Sequence, residues 1–465
     1  MSEITKRKRI WGWMAFDFAT QPYYTLGLTF VFGPYFAAVA ADYFLGTGLN
    51  ETASDARAQS VWSLGQTIAG MFVAFTAPIL GIFADRSGRK MPWIIFFSVL
   101  YVIGAWSLWW MTPDGANLYL MLLLFYVGFI AGESMLNFVN AYLPSLGTEA
   151  EAGQISGSGA AFGYVGGVLA LFIMLLFLAE NETGRTLIGL DPILGLDPET
   201  REGTRSVGPV IALWFIVFMI PFFLYVRDDA VKTATEKVGG LGSELRTLAR
   251  TVVRRRSLGA FLLSSMLYRD ALNALYAFGG VYATLVLDWS IIQIGIFGIV
   301  GAVTAAIVTW IGGMADRRFG PKPVIITCIL ALVTVCTTIV AMSRESLFGI
   351  PLAEGSALPD IVFYICGATI GGAGGAIYAA SRSMMVRHAD PARPAEAFGL
   401  FALSGKATAF LAPALIALFT WLLQDARLGF IPVIFLFLIG LVLLVWVEKD
   451  GDRAEWSADL QPQPS

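Results

Sequence analysis

Six ionisable side chains stand inside long apolar runs of the sequence: the acids Asp17, Glu133 and Asp270 and the bases Arg269, Arg382 and Lys406. Their formal charges cancel. On insertion scales each costs about 2.5–3.5 kcal/mol at the centre of a membrane helix, so each has to be paired or wetted. Two arrangements meet that requirement. Fixed ion pairs would hold helices in register. A water-filled path would instead let Glu133 and Asp270 bind a proton or a solute ammonium, with Arg269 or Lys406 meeting a solute carboxylate. Arg269 and Asp270 are sequence neighbours about 100° apart on a helix, so each needs its own partner. Glu133 and Lys406 fall near mid-membrane by counting along their helices, whereas Asp17 and Arg382 lie nearer the cytoplasmic side, and Asp17 is close enough to a helix start to gain from the dipole.

The spacing around these charges favours a path. Asp17, Gln21 and Tyr24 in the first apolar run, Glu133, Asn137 and Asn140 in the fourth, and Asp270 with Asn273 in the seventh recur at i, i+3, i+4 or i+7. Each set makes one polar stripe on a helix. Tyr378 and Arg382 make a similar pair in the tenth run.

These stripes sit in elements set by composition. Of 465 residues, 57% are hydrophobic and 14% charged, against roughly 25% charged in a soluble globular chain. Runs long enough to cross about 30 Å of hydrocarbon, which takes about 20 helical residues, occur near 11–41, 61–84, 91–111, 117–143, 155–179 and 209–226. Six more follow near 258–287, 291–314, 322–342, 359–387, 396–423 and 428–447. The expected fold is all-α, with twelve transmembrane helices in two pseudo-symmetric six-helix bundles. The expected divisions are 1–226, a linker at 227–257, a second bundle at 258–449 and a tail at 450–465.

Of the 31 Lys and Arg, 22 fall in the termini and alternate connections on one side, six on the other and three within helices. That asymmetry places both termini in the cytoplasm of a multi-pass inner (plasma) membrane protein. The basic Lys6–Arg9 stretch precedes an apolar run too long for a signal peptide and without a small-residue cleavage site. In the linker, Leu245, Leu248 and Val252 share one helical face and Arg246, Arg250 and Arg254 another. Such a helix either lies on an anionic membrane surface, making lipids a partner, or is a solvated linker.

Composition also excludes. Cys328, Cys336 and Cys366 all lie in apolar runs, and His388 is the sole histidine. No disulfide framework, metal centre or histidine relay is expected, and no cofactor. A net charge of −3 gives no reason for a nucleic-acid partner.

The strongest motif is a repeat. Gly81, Asp85, Arg86, Gly88, Arg89 and Lys90 end the second run; Gly312, Asp316, Arg317, Gly320 and Lys322 end the eighth. The glycine allows close helix approach, the aspartate can accept from a neighbouring helix N-terminus, and the basic cluster anchors a tight turn. The second copy has an extra residue, Phe319, and Pro321 among its bases, so its turn should differ. Glycines 159, 163 and 167, and 367, 371 and 375, form four-residue ridges suited to close packing, with a hinge as the alternative. The segment from about 180 to 208, rich in Gly, Pro and Asp, reads as an outward-facing flexible connector or a cover for the outer mouth.

The doubled motif resembles the signature loop of the major facilitator superfamily, whose first, fourth, seventh and tenth helices line the path and whose halves rock about it. More narrowly, the chain resembles the vacuole-effluxer-like branch, bacterial relatives of the fungal autophagy-related vacuolar amino-acid effluxer. The resemblance covers most of the membrane core. It rests on Trp13, Phe16, Asp17 and Ala19; on Asn137, Asn140, Ala141, Leu143 and Pro144; on Ser156, Gly157, Gly159, Gly163, Tyr164, Gly166 and Gly167; and on Tyr268 and Asp270. The longest block runs from Ser381, Arg382 and Ser383 through Glu396, Phe398, Gly399, Leu400, Ser404, Gly405, Lys406 and Thr408 to Pro413. Arg269 departs from the small polar residue expected there, and Thr20–Gln21 from a typical Asn-Ser pair. The added cation favours an anionic or zwitterionic solute. The resemblance implies amino-acid efflux in the fungal member; the residues and the resemblance together lead us to expect a monomeric secondary active transporter of a small polar solute, an amino acid or similar zwitterion or organic anion, driven by protons. A lipid or lipid-linked solute flippase and a transporter-like receptor are the alternatives; no enzymatic nucleophile, metal or phosphate motif is present.

Overall fold

The computed structural model describes residues 5–181, 183–228, 241–289, 291–423, 425 and 427–452. Within the expected linker and tail, 229–240 and 453–465 therefore lie outside the described residues, as does the Leu245 side chain.

Among the described residues, eleven helices are long and apolar enough to cross a membrane. They are α1 (Lys6–Gly46), α2 (Ala53–Ser87), α3 (Met91–Trp110), α4 (Leu118–Asn140), α5 (Glu149–Leu178) and α6 (Glu202–Tyr225), then α8 (Gln293–Phe319), α9 (Pro321–Val340), α10 (Leu358–His388), α11 (Pro394–Leu423) and α12 (Leu428–Trp446). Between α6 and α8 lies α7 (Arg256–Leu287), a helix of 32 residues. It has the length to span and carries Arg269, Asp270 and Asn273 in its middle. With α7, twelve long helices of spanning length stand among the described residues. Among the described residues one small sheet pairs β1 (Ser346–Leu347) antiparallel to β2 (Ile350–Pro351) in the α9–α10 connection.

α1 and α11 are each interrupted in mid-span, near a proline. In α1 the α-helical hydrogen bonding ends at Pro22, a π-helical stretch follows over Tyr23–Phe30, and Val31 (φ −124°, ψ −67°) breaks the helix before Phe32. In α11 a turn separates Pro394–Lys406 from Leu411–Leu423. Pro413 has no N–H for the Ala409 carbonyl and its ring crowds that oxygen, which accounts for a break one turn earlier.

The chain divides into two compact units: Met1–Phe75, Ser87–Val139 and Phe162–Val231 form one, and Thr76–Arg86, Asn140–Ala161 and Lys232–Ser465 the other. The last turns of α2 and the hairpin joining α4 to α5 thus group with the second unit.

The first unit is held by aromatic packing around α1. Phe18 stacks on Phe162 and Trp214 at centroid separations of 4.4 and 5.3 Å. Indole N–H groups satisfy carbonyls that the helices leave over: Trp13 Nε1 donates to Val139 O (2.8 Å) and Trp214 Nε1 to Phe18 O (3.0 Å). The α5 ridge lies against α1. A methyl group on Gly163 would stand 3.1 Å from Asp17 O, and one on Gly167 2.5 Å from Thr25 Oγ1, so side chains there would force the helices apart.

The connector after α5 differs from the flexible segment its composition suggests. The Glu180 side chain, fully buried, accepts from Thr204 N (3.1 Å) and Thr204 Oγ1 (2.7 Å). Arg205 donates from Nε to Trp109 O (2.8 Å) and lies over the Trp109 ring. Buried charges hydrogen-bonded on both sides tie this loop down.

In the second unit the linker helix Leu241–Arg254 turns Leu248 inward, 7% exposed, and brings the Val252 carbonyl to 2.8 Å from where a Gly259 methyl would stand. Its apolar face packs on the start of α7. Arg246, Arg250 and Arg254 stay exposed.

Candidate substrate path and gate

In the first unit, Asp17, Gln21 and Tyr24 are half-buried at successive turns of α1, flanked by buried neighbours. The stripe is therefore real as a surface feature of the helix. Tyr24 donates its hydroxyl to Glu133 Oε1 of α4 (3.2 Å), joining two candidates from different helices. Asn137, one turn after Glu133, is also half-buried.

Asn140 falls in the second unit and is 3% exposed. It belongs to a network centred on Arg382 of α10, which is fully buried. Arg382 donates from Nε to Ser156 Oγ (3.0 Å), from Nη2 to Ser156 O (2.8 Å) and from Nη1 to Asn140 Oδ1 (3.3 Å). Its guanidinium also lies 5.1 Å from the Tyr378 ring centroid. Ser156 in turn donates to Ala379 O (2.9 Å). The planar fork uses donors in several directions at once, which a lysine could not reproduce. Tyr378, Arg382 and Asn140 are thus brought together. Ser156, their hub, entered the sequence reading only as a family match; a serine in a glycine-rich helix carries no stronger signal.

Both copies of the repeated motif meet segments from the opposite sequence half within this unit. Asp85 accepts from Glu396 N (2.7 Å) and Ala395 N (3.2 Å), at the first turn of α11, where a carboxylate satisfies orphan amides and the positive dipole end. A methyl group on Gly81 would stand 2.5 Å from Ala395 O, and one on Gly399 2.6 Å from Ala77 O. At the second copy α8 crosses α5 as closely: a Gly157 methyl would stand 2.6 Å from Gly313 Cα. The Asp316 carboxylate, 1% exposed, fills the space left by Gly153, with the Ser383 hydroxyl and the Arg387 guanidinium as polar neighbours. Arg317 donates to Gln154 Oε1. Gly312 abuts Ala376 of α10.

The turns after the two copies diverge. Gly88 (φ +63°) ends α2, and Asp228 accepts from Lys90 N (2.9 Å) and Met91 N at the start of α3. Gly320 (φ +85°) ends α8, one residue later relative to its aspartate, and Pro321 opens α9 directly. Lys322 Nζ donates to Val447 O (2.7 Å). Arg86 and Arg89 flank the first turn.

On α7 the two charged neighbours go to separate partners. Asp270 is 2% exposed and accepts from Ala412 N (3.0 Å), capping the second segment of α11. Its other oxygen is buried without a hydrogen-bond partner. Asn273 is exposed, so Asp270 and Asn273 do not share one polar surface: the broken α11 draws the carboxylate to its own amide. Arg269 donates from Nη1 to Phe401 O (3.0 Å), with its guanidinium 4.4 Å from the Phe401 centroid. Lys406, half-buried, ends the first segment of α11, where a cation is favoured by the helix dipole.

Comparison with known proteins agrees with this architecture. A family profile described as "Vacuole effluxer Atg22 like" matches residues 5–457. The uncharacterized MFS-type transporter YxiO of Bacillus subtilis (strain 168) is 26% identical over 469 residues, covering 99% of each chain. Autophagy-related protein 22-1 of Neosartorya fischeri is 25% identical over 332 residues, 66% of this chain and 51% of that protein; the chain thus spans about half the length of that fungal relative. Among solved structures, the major facilitator transporter FucP in its outward conformation superposes with a TM-score of 0.66 at 14% identity, over 95% of this chain and 98% of that one. The proton:xylose symporter XylE, bound to 6-bromo-6-deoxy-D-glucose, gives 0.67 at 14% identity, over 97% and 98%. Profile, relatives and fold converge: the chain belongs to the Atg22-like vacuole effluxer family, a multi-pass secondary transporter of the major facilitator type and not an enzyme.

Proposed function

We propose that the protein moves a small polar solute, an amino acid or similar zwitterion or organic anion, by proton-coupled alternating access across the inner (plasma) membrane. It works as a monomer, with both termini cytoplasmic and membrane lipids around the exposed linker arginines. Its two six-helix halves, 1–226 and 258–449, rock about the path. The observation that carries this reading is the double crossing of α2 with α11 and of α5 with α8 at the signature motifs, tightened by Asp85 and Arg382. Segments from both sequence halves meet there, on the side to which the charge distribution assigns the cytoplasm. Opening and reclosing those crossings is the elementary step of rocking. Asp17, Gln21, Tyr24, Glu133 and Asn137 supply the polar surface of the first half, and Glu133 and Asp270 carry the proton.

The test is uptake of a labelled amino-acid mixture into proteoliposomes, with and without an imposed pH gradient. Wild type should accumulate label only with the gradient, and Glu133→Gln and Asp270→Asn should lose that dependence. No accumulation of any amino acid by folded protein would overturn the cargo assignment, and a gradient dependence unchanged in both variants would overturn the coupling.

A further inference from the structure

The exposed face of α7 is built around a cation that the fold immobilises without neutralising. Arg269 is half-buried, and its hydrogen bond goes to a neutral carbonyl, that of Phe401, whose ring it also covers. The acid next to it in sequence is turned away and engaged by Ala412 N. Gly405 completes the cradle: a methyl group there would stand 2.3 Å from the guanidinium carbon and from Nη2. One and two turns along the same face come Asn273, exposed, and Tyr276, 50% exposed, whose hydroxyl lies against Gly374 of α10. The strip is therefore flanked by α11 at its Arg269 end and by α10 at its Tyr276 end.

A guanidinium in a membrane span opposes insertion unless something answers its charge. Here a carbonyl fixes one Nη1–H, and the flat face is stacked, so the fork is pre-oriented with donors left over. Such a fork matches a carboxylate in bidentate geometry. The geometry points to a carboxylate-binding subsite on α7, in which Arg269 takes the cargo's carboxylate, Asn273 and Tyr276 offer hydrogen bonds to its polar remainder, and Phe401 and Gly405 position the guanidinium. This deepens the transporter reading and rests on it for the word cargo. Asp270 is a capping group in this arrangement and does not contact the cargo.

The experiment uses the full chain in nanodiscs, with thermal shift and tryptophan fluorescence read against sodium acetate, lactate, succinate and glutamate, and with ethanolamine chloride and sodium chloride as references. Carboxylates should shift the wild type, and ethanolamine should not. Arg269→Gln should abolish the shift. Gly405→Ala, which displaces the guanidinium but keeps every donor, should weaken binding by about tenfold or more and raise KM for any transported carboxylate without lowering the maximal rate. It also decides the matter if Arg269→Gln does not fold. No shift of the wild type with any carboxylate, or shifts equal in wild type and Gly405→Ala, would overturn the subsite. Arg269-dependent carboxylate binding without amino-acid uptake would leave the subsite standing and remove the amino-acid assignment. Amino-acid uptake with an unchanged KM in Arg269→Gln would do the reverse.

Discussion

Replacing Gly81 by alanine tests the gate with a magnitude set by the structure. The new methyl would stand 2.5 Å from Ala395 O, 2.8 Å from Ala395 C and 2.9 Å from Glu396 Cα, all backbone atoms that no side-chain rotation can move. Ordinary contact needs about 3.4 Å, so α2 and α11 must separate there by roughly 0.9 Å. Overpacking of that kind costs about 1–3 kcal/mol, a five- to roughly 150-fold loss in the population with the crossing closed. The same movement lengthens the 2.7 Å bond from Glu396 N to Asp85. Hydrogen exchange over residues 393–401 should therefore quicken by about tenfold. Gly70→Ala is the control, because nothing lies within 4 Å of a methyl group there. It shares the helix-propensity gain of about 1 kcal/mol and should slow exchange or leave it unchanged. If Gly81→Ala and Gly70→Ala exchange alike over 393–401, α2 and α11 do not meet as described and the gate falls with them.

Asp85→Asn keeps an acceptor but loses the charge at the α11 N-terminus and should destabilise the crossing by about 1–2 kcal/mol, read as faster exchange of the Ala395 and Glu396 amides. Arg382→Lys keeps the charge but cannot reach Ser156 Oγ, Ser156 O and Asn140 Oδ1 together; a loss of about 2–4 kcal/mol should appear as a lower Tm, and an unchanged Tm would contradict the buried network. Glu180→Ala leaves Thr204 N and Oγ1 without their acceptor, so proteolysis within 180–206 should accelerate while exchange over 393–401 stays at the wild-type rate.

The spans were legible because charge is excluded from hydrocarbon; the helices outrun the apolar runs most at the starts of α2, α5 and α6, which begin at Ala53, Glu149 and Glu202 rather than near 61, 155 and 209. In α7 the apolar run carries Arg269 and Asp270, each of which is answered by a backbone group of α11. The stripe on α1 followed helical periodicity through Asp17 and Gln21; Tyr24 already stands in the π-helical stretch, and its link to Glu133 joins two helices, which periodicity within one does not give. What periodicity missed was decided by backbone groups of other helices. Asp270 left the face of Asn273 because the break at Ala407–Phe410 bares the amide of Ala412, and a bared amide has no letter in the sequence. Ser156 became the acceptor for Arg382 through its carbonyl as much as its hydroxyl. The segment from about 180 to 208 read as a flexible connector or a cover for the outer mouth, because its Gly, Pro and Asp content carries no mark of the long-range acceptance by Glu180.

Solute-driven proton movement tests the central claim most directly. Proteoliposomes loaded with a pH-sensitive dye, with no imposed gradient, receive the amino-acid mixture outside, and the lumenal pH is followed with time. With proton coupling, the lumenal pH changes as solute enters, in proportion to it, and does not change in Glu133→Gln. Solute entry with a flat pH trace in the wild type would contradict it.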